Sequence, residues 1–423
     1  MAKRKLKKKS VLRLFIVVGV MLVLAVIGFF TYDYAMKEIN GEAKYLLLNL
    51  VGNKEITIKF TEEYTDPGAT SSYKDDDLTD KIEVDTNLDL EHVGTYKYTY
   101  KIKYKNQEKK IERIVKVIDE DYPSIELKGS STITIAEGNQ YNDLGAIASD
   151  NYDGDLTEKI VVDTSNVDMN TIGTYKVVYK VTDSSGNTSE TERVVNVVKK
   201  GADNQKVAVL NYHFFYETWD ENCHESICLK MDKFREQLKY LKDNGYYTLT
   251  IDEFVKWMYG EINIPEKSVL ITIDDGAHGT SKINGNHLIP ALEEYQMHAT
   301  LFLITGWWDI ENYRSEYLDV QSHTNDLHYE SKCGYRSRVN CVSYNDLLND
   351  LKKSIDVVKD TSSFCFPFYE YTSSSIKAVK ESGFKVAFIG GYRKASRSDD
   401  KYKIPRYPIY DSTSLSEFKI MVG

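Results

Sequence analysis

The sequence predicts a multidomain chain with three kinds of structure in series: an N-terminal transmembrane helix, two all-β sandwiches and a C-terminal α/β domain. Three observations lead there. An uncharged run, "LFIVVGVMLVLAVIGFF" (Leu14–Phe30), follows a cluster of basic residues; a pattern of about 80 residues then occurs twice in tandem; and from about Lys206 onward apolar runs alternate with amphipathic ones. At 423 residues the chain is too long for one ordinary core, so several domains are expected.

The N-terminal element rests on charge and length. Residues 1–13 contain Lys3, Arg4, Lys5, Lys7, Lys8, Lys9 and Arg13 and no acid. They carry +7, which leaves −17 for the remainder of a chain whose total is −10. With its flanks, Leu14–Phe30 is long enough to cross a hydrocarbon layer of about 30 Å. Basic residues ahead of it predict a cytoplasmic N-terminus. A cleaved signal peptide is the competing reading. The run is long for one and no A-x-A-like site follows, which favours an uncleaved signal anchor. On either reading the bulk of the chain is expected outside the cytoplasm, single-pass at the cell membrane. Its acidity argues against nucleic acid as a partner. The expected divisions are a basic cytoplasmic tail (1–10), the anchor (11–32), a juxtamembrane linker (33–52), two β repeats (53–120 and 121–199), a linker (200–205) and the α/β domain (206–423).

The five cysteines fit an oxidising compartment. Cys223 and Cys228, and Cys333 and Cys341, are close pairs in polar, loop-like sequence, and two local disulfides are expected. Neither pair has C-x-x-C spacing, so zinc ligation by them is disfavoured. Cys365 is left over in an apolar run and reads as a buried thiol.

The repeats are read from matching segments. "YTDPGAT" at Tyr64 matches "YNDLGAI" at Tyr141, "DLTDKIEVD" at Asp77 matches "DLTEKIVVD" at Asp155, and "VGTYKYTYKI" at Val93 matches "IGTYKVVYKV" at Ile172. Period-two alternation such as Tyr96-Lys97-Tyr98-Thr99-Tyr100 predicts half-buried antiparallel strands in a small sandwich. Both copies resemble the immunoglobulin-like repeats of bacterial surface proteins. The resemblance implies a stalk or a weak wall-binding module. "SDNYDGD" (Ser149–Asp155) offers several oxygen ligands, as calcium loops do, but a polar turn has the same composition and the first copy lacks its full acid set.

In the C-terminal segment, strand-like runs ("VAVLNYH", "SVLITID", "ATLFLIT") alternate with helical ones ("MDKFREQLKYLKDNG", "IDEFVKWMYG"), implying a parallel sheet or barrel. Chemistry in such folds collects at the carboxyl ends of strands. "ITIDDG" puts Asp274 and Asp275 at one such end, and "QSHTNDLH" puts His323 and His328 after another. Two imidazoles and one carboxylate suit zinc or a similar divalent metal with open positions. The second carboxylate is then available as a base.

These motifs resemble those of the polysaccharide deacetylases, the family 4 carbohydrate esterases with the NodB-homology fold, over roughly Val207 to Lys419. The resemblance implies a deformed (β/α) barrel. It implies Asp274 as catalytic base, with Asp275, His323 and His328 as ligands of a divalent metal, zinc foremost, with cobalt or nickel possible. Two departures stand out. The family's R-x-P-[FY] is replaced by "CFPFY" (Cys365–Tyr369), so the arginine that orients the base is absent from its usual place. The late L-x-H motif is missing, and no histidine follows His328. One branch, the deacetylases of biofilm poly-N-acetylglucosamine, is similar in its longer histidine spacing, its third motif and an early Y-H; there the early histidine is the general acid, which implies His213. Pro367, Phe368, Tyr369 and Trp307 are expected to line the sugar site, with Trp308 a further candidate. A backbone N–H at Phe368 or Tyr369 is expected to meet the oxyanion. The implied reaction is hydrolysis of N-acetyl groups on a cell-wall or exopolysaccharide amino sugar (peptidoglycan or poly-N-acetylglucosamine). An O-acetyl glycan esterase and a catalytically inactive glycan-binding surface protein remain the alternatives.

Overall fold

A computed structural model describes residues 2–43, 45–218, 223 and 226–423. The chain divides into two compact units, Met1–Ile125 with Ile147–Ile160 and Lys180–Glu190, and Glu126–Ala146 with Val161–Tyr179 and Thr191–Gly423.

Helix α1 (Ala2–Ala43) contains the stretch Arg13–Met36, long and apolar enough to cross a membrane. Its side chains from 13 to 36 are almost all exposed, so among the described residues this stretch packs its apolar surface on nothing. The stretch 33–52, expected as a linker, is more ordered than that. The helix continues to Ala43, and Leu46–Leu50 forms a strand paired antiparallel with Ala69–Tyr73. Leu46 and Leu48 face inward and are buried, which gives this strand its place in the first repeat's core.

The first repeat has two sheets. One orders Leu46–Leu50, Ala69–Tyr73 and Asp76–Asp77; the other orders Glu55–Lys59, Gln107–Ile118, Gly94–Tyr104 and Glu83–Thr86. Alternation along the long hairpin buries Tyr100, Ile102, Val115 and Val117. The D-x-G-A motif has a structural explanation. Asp66 accepts the Gly68 amide at 2.8 Å and bonds to Tyr64, Tyr100 and the fully buried Arg113. Arg113 also donates to the carbonyls of Val51, Asn53 and Gly68. The second repeat reproduces this with Asp143, Tyr141, Tyr179 and Arg193. A buried guanidinium needs this full set of acceptors.

The C-terminal domain is built on one sheet. Its strands are β1 (Lys206–Tyr212), β2 (Tyr247–Thr248), β3 (Ser268–Asp275), β4 (Ala299–Leu303), β5 (Leu318–Ser322), β6 (Ser363–Cys365), β7 (Val386–Phe388), β8 (Ala395–Ser396) and β9 (Tyr407–Pro408). The order is β7-β6-β5-β4-β3-β1-β8, with β2 on β3 and β9 on β1. All neighbours from β1 through β3 to β7 are parallel. The segment around β9 closes the ring: Ile404 bridges in parallel to Phe388 on β7, and Tyr407–Pro408 pairs in parallel with Leu210–Asn211 on β1. The result is the expected deformed barrel. Every residue of β3 is buried, as a central parallel strand requires. Helices α2 (Met231–Asp243), α3 (Ile251–Tyr259), α4 (Leu288–Tyr295), α5 (Tyr344–Val358), α6 (Ser373–Glu381) and α7 (Leu415–Val422) carry amphipathic faces, with Phe234, Leu238, Phe254, Trp257, Leu292, Leu351 and Phe418 in the core. Both expected disulfides are present, Cys223–Cys228 and Cys333–Cys341, and Cys365 is a buried free thiol.

Candidate metal centre and active site

Successive side chains on a strand point to opposite faces, so Asp274 and Asp275 should diverge. The backbone breaks that alternation. Asp275 and Gly276 adopt φ of 76° and 90°, and the turn swings the second carboxylate to the mouth where the first already sits. A left-handed non-glycine residue at a strand end is strain held in place by its surroundings. Here the Tyr313 hydroxyl bonds to the Gly276 carbonyl and fixes the turn. A Cβ at Gly276 would press into Leu303 Cδ1. Gly276→Ala is therefore expected to cost about 1–3 kcal/mol of stability and to reduce metal affinity by moving Asp275, measurable by thermal unfolding and metal titration.

Asp275 Oδ1 is buried with no hydrogen-bond donor, yet it lies 3.4 Å from His323 Nε2 and 3.1 Å from His328 Nε2. Three ligand atoms converging without bonding one another is the arrangement a metal ion satisfies. The donor set, one carboxylate and two imidazoles, fits zinc-class divalent ions. His323 Nδ1 sits 2.8 Å from the Cys365 carbonyl, to which it donates, and this leaves the Nε2 lone pair available for a metal. His328 reaches the same point although its spacing is one residue longer. Thr324 takes φ of 78°, and the amides of Asn325 and Asp326 each donate to the Asp350 carboxylate of α5 at 2.8 Å, folding the extra residue back. The His328 ring is stacked on Phe368 at 4.7 Å.

Asp274 is 2% exposed and is held from several sides. Arg406 donates to its two oxygens at 2.8 and 2.7 Å, and Asn211 Nδ2 to Oδ2 at 3.1 Å. Arg406 is itself fully buried and also donates to Thr272 Oγ1, the Ile389 carbonyl and Cys365 Sγ. Burial, the largest single influence, pushes the Asp274 pKa up, but Arg406, His323 and His213 together pull it down, and it ends below the ordinary carboxylate value. The arginine absent from the third motif is thus supplied from the barrel-closing segment. Cys365 occupies the motif's arginine position, and its small side chain lies 2.9 Å from the incoming guanidinium. Cys365 is therefore more than a space-filling thiol: its Sγ lies 3.5 Å from Asp274 Oδ2.

His213, directly after β1, places Nε2 4.0 Å from Asp274 Oδ2. Burial pushes its pKa below the ordinary histidine value even though Asp275 and Asp274 pull it up. The substrate-side residues divide. Pro367, Phe368 and Tyr369 form a short 3-10 turn, with φ of 57° and 60° at the last two. The Tyr369 hydroxyl accepts from Asn211 Nδ2 at 2.9 Å. Its amide is already bonded to the Phe366 carbonyl, which leaves the Phe368 N–H as the oxyanion candidate of the two. Trp307 is 39% exposed, edge-on to His328 and bonded through Nε1 to Asp326 at 2.7 Å, so it stands at the rim. Trp308 instead packs against the core. Sequence reasoning missed Arg406, Asn211 and Asp350. Only Asn211 carried a local signal, one residue from Tyr212-His213.

The family model for the Ig-like domain of bacterial surface proteins matches residues 48–117 and 125–197, and the polysaccharide deacetylase model matches 261–387. His213 and Arg406 lie outside the latter span. A Staphylococcus epidermidis poly-beta-1,6-N-acetyl-D-glucosamine N-deacetylase is 28% identical over 194 residues, 41% of this chain and 65% of the relative, so the chain spans just under two thirds of that protein. A Staphylococcus aureus protein of the same description is 25% identical over 221 residues, 48% of this chain and 73% of the relative. A Streptococcus pyogenes deacetylase structure, solved with acetate, aligns with a TM-score of 0.44 at 19% identity, covering 52% of this chain and 99% of that one.

Proposed function

For a chain that carries a polysaccharide deacetylase domain behind two bacterial surface Ig-like domains, we propose a membrane-anchored, outward-facing, metal-dependent hydrolase that removes N-acetyl groups from a glucosamine-containing polysaccharide. The observation that carries this reading is the convergence of Asp275, His323 and His328 beside an Asp274 clamped by Arg406. A dead domain would have no need for a buried carboxylate held ionised next to an intact ligand set.

A zinc-class ion held by Asp275, His323 and His328 would polarise the amide carbonyl and acidify a water. Asp274, ionised at neutral pH, takes a proton from the attacking water. Arg406 and Asn211 keep its oxygens in place without themselves titrating. The Phe368 N–H donates to the oxyanion. His213 is neutral in the free protein. The proton that reaches the leaving nitrogen is therefore one delivered during the cycle, and the 4.0 Å separation from Asp274 supports His213 as the group that passes it on. The C–N bond breaks, the nitrogen gains that proton, and acetate departs. Phe368 and Trp307 offer apolar faces to pyranose rings beside the His328 ligand. The apolar α1 stretch would hold the enzyme at the membrane.

Acetate release from N-acetylglucosamine oligomers, poly-N-acetylglucosamine and peptidoglycan, with zinc or cobalt added back after chelation, tests the reading. His213→Gln is expected to lower turnover about 10²–10⁴-fold with metal content unchanged. Release from O-acetylated glycans only would replace the N-deacetylase reading with an esterase. Metal binding without release from any of them would leave a glycan binder.

A further inference from the structure

A second group of acids gathers far in sequence from the deacetylase site. Asp119 follows the first repeat's last strand, Gln107–Ile118; Asp150 ends the strand Ala146–Asp150; Asp183 follows Gly173–Thr182. All three belong to one compact unit, and one oxygen from each lies within 4.8 Å of the others. Asp119 and Asp183 are each 7% exposed. The buried cations of the two repeats, Arg113 and Arg193, are committed to Asp66 and Asp143.

The hydrogen bonds leave oxygens over. Asp183 is satisfied by the Asn187 amide and side chain, both at 2.8 Å. Asp150 Oδ1 accepts the amides of Tyr152 and Asp153, and Asp119 Oδ1 that of Asp121. Asp150 Oδ2 and Asp119 Oδ2 are buried and accept from nothing in hydrogen-bond geometry. The Ser185 hydroxyl also lies beside Asp119 and adds another oxygen rather than a positive charge. Two buried, unpartnered carboxylate oxygens facing a third carboxylate are costly unless a cation joins them.

The internal repeat supplies the control. Aligned through their paired strands, the first repeat has Tyr73 where the second has Asp150, and Tyr104 where it has Asp183. Those tyrosine rings pack 5.2 Å apart with Lys105 over Tyr73. The acids occur only where one repeat meets the next, a junction also marked by Phe60 against Tyr152 and by the Val93 amide on the Tyr152 hydroxyl.

We propose that Asp119, Asp150 and Asp183 bind one divalent cation of the calcium class, which ties the end of the first repeat to two loops of the second. An all-oxygen, carboxylate-rich donor set from three segments suits calcium's irregular shell, and extracellular modules of this kind bind with Kd of about 10⁻⁴–10⁻³ M. The site is not the Ser149–Asp155 stretch alone, since Asp153 and Asp155 are spent on the amides of Ser184 and Thr157.

The test uses the full-length chain in detergent after EDTA treatment, with Tb3+ and CaCl2 as probes. Tyrosine-sensitised Tb3+ emission that CaCl2 displaces is expected, together with a Tm for the repeats that rises with CaCl2. Asp119→Asn and Asp150→Asn should each weaken calcium binding at least about tenfold. Each should also raise the metal-free Tm, because a neutral amide removes like-charge repulsion; a carboxylate serving only as a structural acceptor would lower it. Asp275→Ala should leave the calcium response intact, which separates this site from the deacetylase centre. A calcium response that survives in both asparagine variants, one that vanishes in Asp275→Ala, or no displacement up to about 10 mM CaCl2 would overturn the proposal.

Discussion

Asp275→Ala is expected to remove bound metal and acetate release together, bringing turnover to the uncatalysed background. The variant loses the only carboxylate among the three converging ligands and leaves two imidazoles, too few to hold a zinc-class ion against chelators. Asp274→Asn is the informative partner. It keeps the three ligands and so should keep stoichiometric metal, while turnover falls about 10²–10⁴-fold for want of a base. Metal analysis beside acetate release decides the matter. Full turnover in either variant would reverse or abolish the roles assigned to the two aspartates.

Arg406→Ala is expected to do damage of two kinds. It strips the two-pronged partner from a carboxylate that is 2% exposed, and removing one member of such a pair costs about 3–5 kcal/mol. The loss should depend on pH in a defined direction. In the parent protein the Asp274 pKa lies below its ordinary value of 3.8, so the stabilisation is present above that value and fades as pH falls through the lowered one. Without Arg406, burial is opposed only by the weaker pull of His323 and His213, and the pKa rises. The variant's deficit should then be largest at neutral pH and shrink on acidification. The acidic limb of its kcat/KM profile should move to higher pH, because the base is protonated sooner. Arg406→Lys keeps a charge but cannot grip both oxygens, and should fall between the two. An unmoved acidic limb in Arg406→Ala would show that another group sets the state of Asp274.

Much of the site was legible because its residues are local in sequence. Asp274 and Asp275 end a strand that reads as buried, and His323 and His328 follow another, so four of the residues could be placed at one barrel end by topology alone. Period two, however, would have sent the paired aspartates to opposite faces; only the left-handed turn at Asp275-Gly276 brings them together. Arg406 was illegible for a different reason. It stands 132 residues from Asp274, in a segment whose hydrogen bonds to both β1 and β7 are set by closure of the barrel. The empty arginine position in the third motif argued for inactivity, and the fold answers it from elsewhere. The strand at Leu46–Leu50 was missed because its apolar residues directly follow the helix and read as its flank.

The closing segment ties the proposed base to the integrity of the barrel seam. The three proposed metal ligands, Asp275, His323 and His328, all precede residue 329 in the chain. Arg406, the partner of Asp274, directly precedes β9, between the Ile404 bridge to β7 and the Tyr407 pairing with β1. A chain lacking that segment would keep the three proposed ligands and lose the two-pronged partner of Asp274. On the proposed reading, a barrel left open at that seam would be a metal binder without a charged base.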